Sequence, residues 1–206
     1  MNRQRVGILI FPEVEVLDFC GPFEVFSVTR LNEERRRETP SPFEVLLIAE
    51  SREPVVATGG MRVLPDHDLA TCPPLDLLVV PGGWGTRTEV NNARLIAWIR
   101  ERAANVSLLA SVCTGAFLLG AAGSLTGKRA TTHWRSLDRM ADTFPAVQVQ
   151  REEHVVWDGA LVTSAGISAG IDMALSVVAY YFGDAIAEAT AKQMEYSYTG
   201  DNRRRV

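Results

Sequence analysis

Short apolar, β-branched runs alternate along the chain with longer stretches in which apolar residues recur at helical spacing. Val6–Phe11 reads as a buried strand ended by Pro12. Apolar Phe23, Phe26 and Val28 predict a helix from Asp18 to about Arg30, and Asn32–Pro42 is a loop by composition. Phe43–Glu50 is the next strand. Val55–Ala57 and Met61–Leu64 flank Thr58-Gly59-Gly60 and predict a hairpin. Asp76–Val80 is a strand running into Pro81-Gly82-Gly83. A helix over Asn91–Ala104, a strand over Ser107–Val112 and a helix over Thr114–Ala122, closed by Gly123, follow. Trp134–Asp142 predicts another helix. Val147–Gln150 and Val155–Val156 are expected to pair near a second turn at Asp158-Gly159, before a strand at Leu161–Thr163. Ile171–Phe182 and Ala185–Tyr196 are the last helices. This alternation predicts an α/β sandwich, a mainly parallel twisted sheet with helices on both faces. In such sheets ligands bind at the carboxyl ends of the strands, here Phe11–Asp18, Pro81–Gly83, Cys113-Thr114 and Ser164–Gly170.

The 206 residues fit a single domain, with a core over about 5–197 and a tail over 198–206. A net charge of −4 and the lack of a basic face exclude nucleic acid and anionic membranes as expected partners. The longest apolar runs, such as Leu75–Pro81, are too short to span a bilayer. Glu13 and Glu15 interrupt the apolar N-terminal run, so no signal peptide is expected and the protein reads as cytoplasmic. Cysteines at 20, 72 and 113 are too few and too scattered for a disulfide scaffold. With His only at 67, 133 and 154, no metal centre is expected.

Ser111-Val112-Cys113-Thr114-Gly115-Ala116 carries the sharpest chemistry. An apolar strand runs into a cysteine and a small-residue helix starts at once, the layout of a nucleophile elbow. Free N–H groups at the helix start favour a thiolate and are expected to lower the pKa of Cys113. The alternative is a buried structural cysteine. Gly82 and Gly83 allow close backbone approach to a ligand or make an ordinary turn. Asp18, between Leu17 and Phe19, is either a helix cap or a partly buried acid able to hold a proton. His133 is either a base to Cys113 or a capping residue. His67 and His154 read as surface residues and Cys72 as structural. Cys20 reads as packing, and a link to Cys113 stays open.

Four blocks together resemble the ThiJ/PfpI superfamily, related to class I glutamine amidotransferase domains: VGILIFPEVEVLDFCGPFEVF, CPPLDLLVVPGGWGT, SVCTGAFLLGAAGSLTGKRATTHW and DGALVTSAGISAGIDMAL. The D-x-x-G-P start and the CTG-to-TTHW block resemble its isonitrile hydratase subgroup, and similar blocks occur in sensor domains of AraC-type regulators. The resemblance implies a flavodoxin-like fold, no cofactor, a small-molecule substrate and a homodimer. It implies Cys113 as nucleophile, Asp18 as the acid facing it and Thr114 as its subgroup neighbour. It also implies that Gly82 and Gly83 line the site, that Gly166 and Ile167 close over the thiol, and that His133 lies in the TTHW block. Trp84 is bulkier than the usual residue and is expected to narrow the pocket or stack on substrate. Cys20 stands where Thr or Ala is frequent, and Ser197-Tyr198-Thr199-Gly200-Asp201 replaces a proline-rich stretch.

The reaction implied is hydration of an isonitrile to an N-substituted formamide through a thioimidate on Cys113, with amides of Gly83 and Thr114 stabilising the added oxygen. The rivals are a redox sensor with an oxidisable Cys113 and a non-catalytic ligand-binding domain. The length leaves no room for a helix-turn-helix, and Asp18 in place of Glu counts against glyoxalase or deglycase chemistry.

Overall fold

The computed structural model describes residues 3–205. Its centre is a sheet of seven strands, because the most apolar runs are too short for helices and need both faces covered. In chain order come β1 (Gln4–Leu9), α1 (Val16–Val28), β2 (Phe43–Ala49), β3 (Val55–Val56), β4 (Arg62–Val63), β5 (His67–Asp68) and β6 (Leu77–Val80). Then follow α2 (Thr86–Glu89), α3 (Ala93–Ala103), β7 (Leu108–Val112), α4 (Gly115–Ala121), β8 (Arg129–Ala130) and α5 (Leu137–Thr143). The chain finishes through β9 (Gln148–Val149), β10 (Val155–Asp158), β11 (Leu161–Ser164), α6 (Ala169–Phe182) and α7 (Asp184–Gln193). The sheet order is β10-β11-β7-β6-β1-β2-β5, parallel except for β10. Helices α1, α6 and α7 pack together against it, and α2, α3 and α4 form a second group. Every residue of β6 and β7 is buried, the mark of central parallel strands.

Local sequence explains the helix boundaries. Asn92 caps α3 by accepting from the Leu95 amide, and Leu95, Ile96, Trp98 and Ile99 form its buried stripe. Gly183, at φ 87°, separates α6 from α7. The order in which strands are added reverses around β1: β2 lies on one side and β6 on the other. That reversal opens a crevice beyond the carboxyl ends of β1, β6 and β7.

Several elements differ from expectation. The hairpin forms as β3 and β4, but β5 and α2 carried no sequence signal. The helix expected from Trp134 begins as a 3-10 turn at Trp134–Ser136 before α5. Val147–Gln150 does not pair with Val155–Val156. Gln148 and Val149 run parallel to Arg129 and Ala130, whereas β10 turns back through Asp158-Gly159 onto β11. His154 is not a surface residue: only 6% of it is exposed, and its Nε2 lies 3.1 Å from Asp172 Oδ2. The tail does not hang free. Asn202 Oδ1 accepts from the Val155 amide and its Nδ2 donates to the Val155 carbonyl, while Arg205 pairs with Asp172. Among the described residues no helix is long and apolar enough to cross a membrane.

Candidate active site

Strand β7 delivers Cys113 to the crevice in a strained conformation. Its φ is 58°, a left-handed value that costs a non-glycine residue about 1–2 kcal/mol. Three backbone bonds hold it there. The Cys113 amide donates to the Ser164 and Ala165 carbonyls at 3.2 and 3.1 Å, and the Thr132 hydroxyl donates to the Cys113 carbonyl at 2.8 Å. Gly115 completes the elbow, since a Cβ there would lie 2.0 Å from the Val80 carbonyl oxygen. The smallness of this segment is therefore what lets α4 start directly against the end of β6.

Asp18 arrives from α1 and is fully buried. Its Oδ2 accepts from the Gly82 amide at 2.9 Å, and its Oδ1 is buried without a hydrogen-bond partner of ordinary geometry. Burial pushes its pKa up to about 7, with the nearby Glu15 charge adding to the rise; the Gly82 amide, the Cys113 thiol and the Ile167 amide oppose it. Asp18 thus holds a proton near neutrality and has the thiol as a polar neighbour.

The thiol is not activated in the way the helix start suggested. Burial and then the Asp18 charge push the Cys113 pKa upward, and the Thr114 amide, its hydroxyl and the Ile167 amide oppose this without reversing it. Desolvation of a cysteine only 6% exposed outweighs a few N–H dipoles. The resting thiol therefore keeps its proton, and Asp18 holds one of its own below about pH 7.

Cys113, Thr114, Gly83, Trp84, His133 and Ile167 line one cleft of about 350 Å³. Ile167 itself has φ 56°, so its loop is held in a second left-handed conformation beside the thiol. Gly82 and Gly166 stand behind the cleft walls. A Cβ on Gly82 would meet the Thr114 amide at 2.5 Å, and one on Gly166 would meet the His133 ring at 2.2 Å. The glycine amides are not free donors. That of Gly82 is bound to Asp18, and that of Gly83 donates to Thr114 Oγ1 at 3.1 Å. Thr86 Oγ1 lies 3.1 Å from the same oxygen and donates to the Gly83 carbonyl at 2.8 Å. A role for the Gly83 amide at an added oxygen would require it to leave Thr114.

His133 caps the Trp134–Ser136 turn, its Nδ1 accepting from the Arg135 amide at 3.3 Å. Burial and then the Arg135 charge lower its pKa, which keeps the ring neutral. Trp84 is 63% exposed and lies under the Arg87 guanidinium, 3.7 Å from it. Cys20 is half-buried against the core and is not part of the cleft wall, and Cys72 is buried. Arg87, Arg135, Arg139 and Glu15 also line the cleft. No pattern in the sequence marks them, because their positions form no motif and meet only through the fold.

The model of the DJ-1/PfpI family matches residues 4–180. The chain is 37% identical to "Isonitrile hydratase" of Pseudomonas putida over 193 residues, covering 94% of this chain and 78% of that one. It is 36% identical over 190 residues to the "HTH-type transcriptional regulator CdhR" of Pseudomonas aeruginosa, covering 92% of this chain and 54% of the regulator. The structure of a THiJ/PfpI family protein from Pseudomonas syringae superposes with a TM-score of 0.84 at 32% identity, covering 97% of this chain and 77% of that one.

Proposed function

The chain belongs to the DJ-1/PfpI family, and from that premise we propose that it is a cysteine-dependent hydratase converting isonitriles to N-substituted formamides. The observation that supports this reading most is the buried Asp18 poised near neutrality beside the strained Cys113. An isonitrile carbon is a weak electrophile until it is protonated, so the reaction needs an acid and a soft nucleophile in one water-poor pocket.

Asp18 gives its proton to the terminal carbon as the Cys113 sulfur bonds to it, the thiol proton passing to the carboxylate. The product is a thioimidate, R–N=CH–S–Cys113. Water adds to that carbon as Asp18 passes the proton it received from the thiol to the nitrogen and takes one from the water in its place, leaving R–NH–CH(OH)–S–Cys113. The C–S bond then breaks, the sulfur regains its proton, and R–NH–CHO leaves. The sum is R–NC plus water, with no oxidant or reductant. The Thr114 and Ile167 amides, which oppose the rise in the Cys113 pKa, stabilise the sulfur each time it carries charge.

The test is incubation of reduced protein with an alkyl isonitrile while formamide is followed by mass. Turnover that disappears in Cys113→Ser supports the reading, and no turnover by wild type overturns it. A second reading, a cleft that binds a ligand without turnover, is favoured by the similarity to the regulator CdhR. It predicts binding of an isonitrile without formamide.

A further inference from the structure

Three guanidiniums converge on the cleft that holds Cys113. Arg87, Arg135 and Arg139 all line it, and each lies over an aromatic ring: Arg87 over Trp84 at 3.7 Å, Arg135 over Trp134 at 4.7 Å and Arg139 over Phe117 at 4.0 Å. The rings hold the cationic heads in place without neutralising them. Among the described residues, none of the three has a carboxylate within salt-bridge distance or donates a side-chain hydrogen bond. The nearby Asp138 pairs with Arg151 instead. Glu15 is the acid in the same cleft, and it too stands outside every ion pair of the described residues.

Gathering like charges in a half-buried cleft is unfavourable unless something negative enters it. Arg139 feels this already: burial and then the Arg87 charge lower its pKa. The rest of the molecule carries net negative charge, so the positive cleft is a local feature and not a by-product of a basic protein.

We infer that the cleft takes a substrate bearing a carboxylate, held by Arg139 and Arg87 with Arg135 at the rim, while its reactive carbon faces Cys113. On the hydratase reading, on which this substrate class rests, the preferred isonitriles are isocyano-carboxylates. A guanidinium accepts a carboxylate through paired N–H donors, which also fixes its orientation.

Two matched pairs test the inference. Turnover is compared for isocyanoacetate and its methyl ester. Binding is compared by calorimetry for N-formylglycine, the hydration product of isocyanoacetate, and N-formylglycine methyl ester. The expected result is acid-selective binding, about tenfold weakened in Arg139→Gln and weakened further by salt, with KM for isocyanoacetate raised and KM for the ester unchanged. Equal binding of acid and ester, no binding of either, or selectivity that survives both Arg139→Gln and Arg87→Gln overturns the inference. Acid-selective binding without turnover of either isonitrile rejects hydration and retains the anionic site. Equal turnover of acid and ester, with equal binding, retains hydration and rejects the anionic site.

Discussion

Asp18→Asn isolates the cost of burying the acid. In the unfolded chain this carboxyl ionises near 3.8, and in the folded protein near 7. Between those values the native state keeps a proton that the unfolded chain has released, so stability falls as pH rises through the window. Above about pH 7 the penalty levels off at up to about 4 kcal/mol. Below about pH 4 it vanishes, because both states are then protonated. Asparagine is neutral throughout, and its amide oxygen can still accept from Gly82. The variant is therefore expected to gain on wild type by about 2.5 kcal/mol between pH 5 and pH 8. Urea unfolding followed by tryptophan fluorescence at intervals across that range measures the gap. Parallel curves for the two proteins would refute the argument, since they would mean that Asp18 ionises as it does in the unfolded chain. The same variant is expected to lose turnover, and wild-type turnover is expected to fall as pH rises through about 7, where the acid form disappears.

Other outcomes follow from the same geometry. His133→Asn keeps a capping acceptor, so turnover is expected to change by less than about tenfold, whereas loss of a general base would cost about 10²–10⁴-fold. Gly115→Ala forces a Cβ onto the Val80 carbonyl and is expected to cost about 2–3 kcal/mol in urea unfolding while displacing Cys113. Asp172 is buried among three partners. Burial alone would raise its pKa, but bonds from His154, Tyr196 and Arg205 outweigh that and lower it, so its contribution is present above about pH 4 and lost as pH falls. Asp172→Ala is expected to cost about 3 kcal/mol and to speed amide exchange over residues 196–205.

The parallel core was legible because Val6–Phe11, β6 and β7 are nearly unbroken apolar runs, which only a two-sided sheet can bury. The two-residue strands β5 and β8 were not, since so short a pairing has no period to detect. His154 was misread because its partner Asp172 lies on α6, too far along the chain for local pattern to join them. The elbow at Cys113 could be read from small residues after an apolar strand. The effect of burial on its thiol could not, because desolvation depends on what Ile167 and Asp18 bring over it. The arginines at 87, 135 and 139 look like solvated charges one at a time, and only the fold makes them neighbours of one cleft.

Strand β10 is the terminal strand of the sheet, and such a strand offers a row of backbone donors and acceptors to any passing chain. Here the tail covers the beginning of that row, at Val155 and the residues just before it. Asn202 closes the Val155 amide and carbonyl with its side chain, its own carbonyl accepts from the His154 amide, and the Arg204 amide donates to the Glu152 carbonyl. The segment set apart as a tail thus shields the start of this edge against edge-to-edge association. Trimming it would expose the start of a template for strand addition and would also release Thr131 and Thr132, which Arg204 holds and of which Thr132 supports the Cys113 carbonyl, so self-association would rise and the elbow would loosen together.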